Sequence, residues 1–153
     1  MVVAVHEQRL GERLHLDRAA ENAIVNAPAL GAPVGYAHAV VAAAPGRTVY
    51  LGGQTALGPD GAIHGATIAE QFDVAAGNVV TALRAAGGEP EHIVNLLVFV
   101  TDVGEYKAAL RELGGVYRRH FGRRYPAMVL LGVSALFDAD AKVELVATAV
   151  IPG

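Results

Sequence analysis

The spacing of apolar positions changes along the chain, and each change marks an element. From Tyr36 to Ala43 small and apolar residues run without a helical repeat, and Pro45-Gly46 closes the run as a turn dipeptide. Thr48-Val49-Tyr50-Leu51 follows, so the two segments are expected to pair as a hairpin. Gly52-Gly53 ends the second strand, where glycines suit close approach of a backbone or ligand, or a β-bulge. Gly58 to Gly61 is a further turn. Ile68, Phe72, Ala75, Ala76, Val79 and Leu83 then recur at helical spacing. The capping box Thr67–Glu70 precedes them and Gly87-Gly88 follows, which predicts a helix over 67–86.

The second half repeats the alternation. Ile93 to Thr101 is apolar on both faces except at Asn95, the pattern of a central strand in a covered sheet or of a subunit interface. Asp102 caps a second helix whose stripe is Tyr106, Leu110, Leu113, Tyr117 and Phe121, with Gly122 at its end. Gly114-Gly115 lie inside that helix, where each glycine costs about 1 kcal/mol relative to alanine. Ala127 to Val133 and Lys142 to Ile151 read as strands joined by a turn at 137–141. Residues 1–32 carry weaker signals: a strand at Val2–Val5, a short helix over 17–25 and a loop from Ala27 to Pro33. The sum is one α+β domain spanning 1–153, with 1–32 as an N-terminal extension. Two helices pack on one face of a mixed sheet.

Composition narrows the function classes. Hydrophobic residues make up 53% and charged residues 18%, which leaves apolar surface for an oligomer to cover. The net charge of -3 and scattered basic residues argue against nucleic-acid binding. The lack of cysteine excludes disulfides, thiolate zinc sites and a cysteine nucleophile. The six histidines show no metal-ligand spacing and no phosphate loop is present, so neither metal nor cofactor is expected. The single serine, Ser134, has no activating context. No apolar run approaches the roughly 18 residues of a membrane span, and the chain reads as soluble and cytoplasmic.

A few residues stand out as candidate chemistry. Glu144 interrupts an otherwise apolar strand; such a carboxylate is an acid or base, or a group satisfied at a strand end. Gly53 could present its amide to developing negative charge, or mark a bulge. Tyr36 and His38 share a strand face by two-residue alternation and either line a pocket or serve structure.

Five segments, in order, resemble the RidA/YjgF family, also known as the endoribonuclease L-PSP family. They are Pro33 to Val40, Val49 to Gln54, Gln71 with Asn78-Val79, Val98 to Asp102 with Val116-Tyr117 and Phe121, and Tyr125-Pro126-Ala127 through Val143-Glu144-Leu145. The resemblance implies a chorismate-mutase-like fold with a mixed six-stranded sheet, and a homotrimer with small-molecule clefts between subunits. It also implies hydrolysis of reactive imines and enamines, in which an arginine holds the substrate carboxylate and a glutamate serves the attacking water. Tyr36, Gly53 and Glu144 match the family's pattern. Met128 stands where the family has that arginine, Gly52 and Ala37 replace serines, and Gly114 falls at a common asparagine. The expected cleft, with Met128, Leu130 and Gly114, is roomier and more apolar than the family's and suits a larger or uncharged ligand. The expected function is hydrolase- or deaminase-like action on a C–N bond, with Glu144 and Tyr36 catalytic and Gly53, His38, Gly114, Met128 and Leu130 binding. The alternative is a non-catalytic ligand-binding or regulatory trimer; ribonuclease or 2-imino acid deaminase activity ranks below both.

Overall fold

A computed structural model describes residues 21–153. Six strands and three helices follow one another as β1 (Ala23–Val25), β2 (Ala39–Val41), β3 (Gly46–Tyr50), α1 (Ile68–Ala85), β4 (Ile93–Val100), α2 (Val103–Ala108), α3 (Leu110–Phe121), β5 (Ala127–Gly132) and β6 (Val143–Pro152). The α+β class and the mixed sheet are as the sequence predicts. The six strands do not form one sheet, however. Four make a sheet of order β3-β6-β4-β5, in which only β4 and β5 run parallel, and β1 pairs with β2 alone.

The expected hairpin is absent for the same reason. β3 leaves β2 and forms five antiparallel pairs with β6, from Gly46 opposite Pro152 to Tyr50 opposite Thr148. Gly46 permits the crossing, since a Cβ there would meet Ala43 O and Val150 Cγ1, each at 2.8 Å. β2 instead pairs with Ala23–Val25, so the described end of the segment read as a helix over 17–25 is strand. The buried Asn22 joins this small sheet to the large one. Its side chain donates to Val150 O at 2.8 Å and accepts from Ala43 N at 2.9 Å. The strand expected at Val2–Val5 lies outside the described residues.

α1 forms as its pattern predicts. Thr67 Oγ1 accepts from Glu70 N, and the Glu70 carboxylate accepts from the amides of Ala66 and Thr67. Its apolar face, with Ile68, Phe72, Val79 and Leu83, packs on Leu96, Val98, Val100, Val143 and Leu145 of the two central strands. Asp102 caps the next segment through Glu105 N at 3.0 Å, but the predicted single helix breaks at Ala109 into α2 and α3. There the amide of Ala109 is shared between the carbonyls of Glu105 and Tyr106, which ends the first helical run. No helix of the described residues is long and apolar enough to cross a membrane.

The opposite sheet face stays open in the single chain. Leu97 and Phe99 on β4 lie beside Val129 and Leu131 on β5, and beside Val146 and Glu144 on β6. Val129 and Leu131 are 41% and 42% exposed, an uncovered apolar stripe.

Two polar ties hold α1 in place. Gln71, 2% exposed, donates to Gly65 O and Asp140 O and accepts from Lys142 N at 2.8 Å. Asp73 accepts from His120 at 2.5 Å and pairs with Arg119 at 3.2 Å, linking α1 to α3. The Gln71→Ala variant strands buried backbone groups at both loops and should lose about 2–3 kcal/mol in denaturant unfolding. Retention of wild-type stability would remove Gln71 from this role. The hydrogen bond from His120, then the charge of Arg119, hold the Asp73 carboxyl below its usual 3.8 despite partial burial. Folding that lowers an acid's pKa adds stability above the unfolded value, and this is lost as pH falls through the folded one. Because Asp73 is 43% exposed, the effect is discounted to at most about 1 kcal/mol. Unfolding midpoints of wild type and Asp73→Asn should therefore differ at pH 6 and converge below pH 3.8.

Candidate functional site

Between the outer strand β5 and the helices lies a chamber of about 480 Å³. Met128 and Leu130 form its sheet side. In register with Leu96 and Val98, they point toward the helices. Leu110, Leu113, Gly114 and Tyr117 form the α3 side, Tyr106 comes from α2 and Tyr125 from the turn before β5. Tyr36 closes one end, held there because Ala37 N donates to Pro126 O at 2.9 Å and bridges to β5. The structure thus brings Tyr36, Gly114, Met128 and Leu130 together.

The walls are aromatic and uncharged. Tyr117 and Tyr125 stack with ring centroids 4.8 Å apart and planes 21° apart. Burial, and then the neighbouring Tyr125, push the phenols of both Tyr106 and Tyr117 upward, so both stay neutral at physiological pH. The Tyr117 hydroxyl donates to Arg124 O at 3.0 Å. Arg124 does not turn into the chamber; its guanidinium donates to Asn22 O at 2.5 Å. Nothing at position 128 can take its place, since a thioether offers no N–H to a carboxylate.

His38 is placed differently from the sequence expectation. It precedes β2 and is not a chamber wall. Its Nδ1 accepts from Ala27 N and its Nε2 donates to Gly31 O, each at 3.0 Å, so both ring nitrogens serve the 26–31 loop. Its ring also meets Tyr36 edge-on at 5.9 Å, so it supports a wall residue without facing the cavity.

Glu144 and Gly53 form a second group, across the sheet. Glu144 lies opposite Phe99 on the open face, with all of β4 between it and the chamber strand. The segment after β3 runs beside it, with Gln54 and Leu145 exchanging two backbone hydrogen bonds of 2.8 Å. A Cβ on Gly53 would overlap Glu144 Oε1 and stand 2.9 Å from its Cδ. The glycine therefore leaves room for the carboxylate itself. Asn78 fixes this loop from α1, donating to Thr55 O and Leu57 O at 3.0 and 2.9 Å.

Sequence reasoning placed Tyr106 and Tyr117 in a core stripe and missed that they, with Tyr125, wall a cavity. The available signal was the choice of a polar-tipped aromatic at three positions that leucine or phenylalanine could fill as core.

Comparison with known proteins agrees with this fold. The profile of the Endoribonuclease L-PSP family matches residues 26–151. The human 2-iminobutanoate/2-iminopropanoate deaminase is 28% identical over 128 residues, covering 83% of this chain and 88% of that protein. The Rid-family protein YyfB of Yersinia pestis superposes with a TM-score of 0.75 at 27% identity, over 84% of this chain and 98% of that one. TdcF of E. coli, solved with bound serine, superposes at 0.60 with 26% identity, covering 83% and 96%. With a family match over residues 26–151, and solved relatives that share its sheet and helices, the chain belongs to the RidA/YjgF, or endoribonuclease L-PSP, family.

Proposed function

We infer that this protein is a trimeric small-molecule hydrolase of C=N bonds whose clefts form between subunits, and whose substrate has a bulkier apolar body than a short 2-imino acid. The observation that carries this reading is the separation of the two groups. Tyr36 and the chamber lie at one edge of the sheet, while Glu144 over Gly53 lies on the open face. A cleft using both needs a second copy, with the open face of one chain set against the chamber edge of the next. The exposed stripe of Val129 and Leu131 supports such contact, since it is apolar surface that a neighbour would cover. The human relative is named an imine deaminase, which supports the reaction class.

In that cleft the chemistry falls to this chain's own side chains. Glu144 takes a proton from water as the water oxygen bonds to the imine carbon. The nitrogen gains protons, the C–N bond breaks and ammonia leaves, with a carbonyl compound remaining. The Gly53 amide faces developing negative charge and Tyr36 orients the substrate. Met128 withdraws the strand-borne carboxylate clamp and, with Leu130 and Gly114, leaves space for the apolar body. The chamber's volume lies in the range of small-molecule pockets, about 300–1,000 Å³.

The test is ammonia release from freshly generated imines against a protein-free blank. A phenyl-bearing imine should be turned over well above the blank, and 2-iminopropanoate close to it. The Glu144→Gln variant should lose the acceleration by about a hundredfold or more while still binding ligand. Unchanged turnover in that variant would remove Glu144 from the reaction, and no turnover by the wild type would sink the hydrolase reading and leave a ligand-binding trimer. Native mass measurement should give three times the 15.8 kDa chain mass, and Leu131→Lys should lower it. A monomeric wild type would exclude the shared cleft.

A further inference from the structure

Gly114 is the only α3 position on the chamber wall without a side chain. A Cβ built there would meet one neighbour within 4 Å, Nη1 of Arg118 at 3.6 Å. Arg118 follows four residues later, and helical side chains lean toward the helix N-terminus, so its guanidinium lies back over the gap that the glycine leaves. Three other cationic side chains are engaged elsewhere. Arg119 pairs with Asp73, Lys142 with Glu105, and Arg124 donates to Asn22 O. Arg118 enters none of the ion pairs among the described residues. The chamber therefore combines uncharged aromatic walls with an exposed guanidinium beside Gly114 that enters no ion pair among the described residues.

We propose that Arg118 is a specificity-determining residue, and that the chamber takes an amphipathic acid whose ring-bearing body sits among Tyr106, Tyr125 and Met128 while its acid group meets Arg118 across Gly114. The walls exclude a charge from the interior, because a buried ion without a partner is strongly disfavoured. They accept a ring, which stacks or packs edge-on against tyrosine. The rim offers the planar donor fork that matches a carboxylate. An exposed ion pair is weak and screened by salt, so a short acid that leaves the chamber empty binds poorly. A cationic ligand meets a like charge at the same rim. The proposal rests on the chamber being the ligand site, as inferred above, and not on turnover.

Calorimetric titration of the native assembly tests it with phenylacetate, its neutral isostere phenylacetamide, and propanoate. Phenylacetate should bind about fivefold tighter than the amide, the reach of one partly exposed ion pair, and propanoate weaker than either. Arg118→Gln should bring phenylacetate down to the level of the amide while amide binding stays as in wild type, which also reports an intact fold. Arg118→Lys should restore part of the preference, and added salt should reduce it. Gly114→Leu, which fills the chamber, should weaken both aryl probes alike. Equal binding of acid and amide by the wild type, or a preference that survives Arg118→Gln, overturns the assignment of Arg118. Failure of every aryl probe to bind overturns the chamber along with it. Aryl binding with the predicted preference but no imine turnover would instead fail the catalytic reading alone.

Discussion

Two carboxamides on one helix set the geometry on which the rest of this fold depends. Gln71 holds the backbone just before β6 and the loop ahead of α1. Asn78, two turns on, holds the loop that follows Gly53. Each amide satisfies main-chain groups that no ladder reaches, and each does so from a helix anchored by Phe72, Val79 and Leu83 in the core. Glu144 begins two residues after Lys142, whose amide Gln71 holds, and Gly53 ends two residues before Thr55, whose carbonyl Asn78 holds. The close seating of the carboxylate on the glycine is thus fixed from behind, through α1. A buried amide with all its partners, as Gln71 has, specifies one arrangement more sharply than apolar contact does, because any slip leaves a polar group unpaired.

The parity of the strands explains the division of the site. Side chains alternate between faces, so Met128 and Leu130 must face the helices while Val129 and Leu131 face away. On β6 the same rule buries Val143 and Leu145 and turns Glu144 outward. No rotation of a side chain can bring Glu144 round to Met128 within one chain. In the proposed assembly the sheet resolves this by presenting both faces at once, one to its own helices and one to a neighbour.

Much of this was legible in the residues. The helix caps at Thr67 and Asp102, the helical stripe of α1 and the glycine stops located the regular elements, because those signals are local. Strand pairing was less readable. The Pro45-Gly46 turn suggested a hairpin, yet β3 found a longer partner in β6, a hundred residues away in sequence, and nothing local encodes that choice. Tyr36, Gly114, Met128 and Leu130 were recognisable as neighbours through family resemblance. His38 was not separable from them by alternation, since its role is decided by two loop groups, Ala27 N and Gly31 O, that only the folded chain brings near. The aromatic character of the chamber escaped the sequence because a tyrosine at helical spacing looks the same whether its ring fills a core or walls a cavity.

The distribution of those rings gives the protein a built-in reporter. The chain has no tryptophan and five tyrosines, and four of them, Tyr36, Tyr106, Tyr117 and Tyr125, border the chamber. Ultraviolet absorption and emission of the whole molecule are therefore dominated by one cavity. A molecule entering it changes the surroundings of most of the chromophores at once, so occupancy can be followed on unlabelled protein at ordinary concentrations.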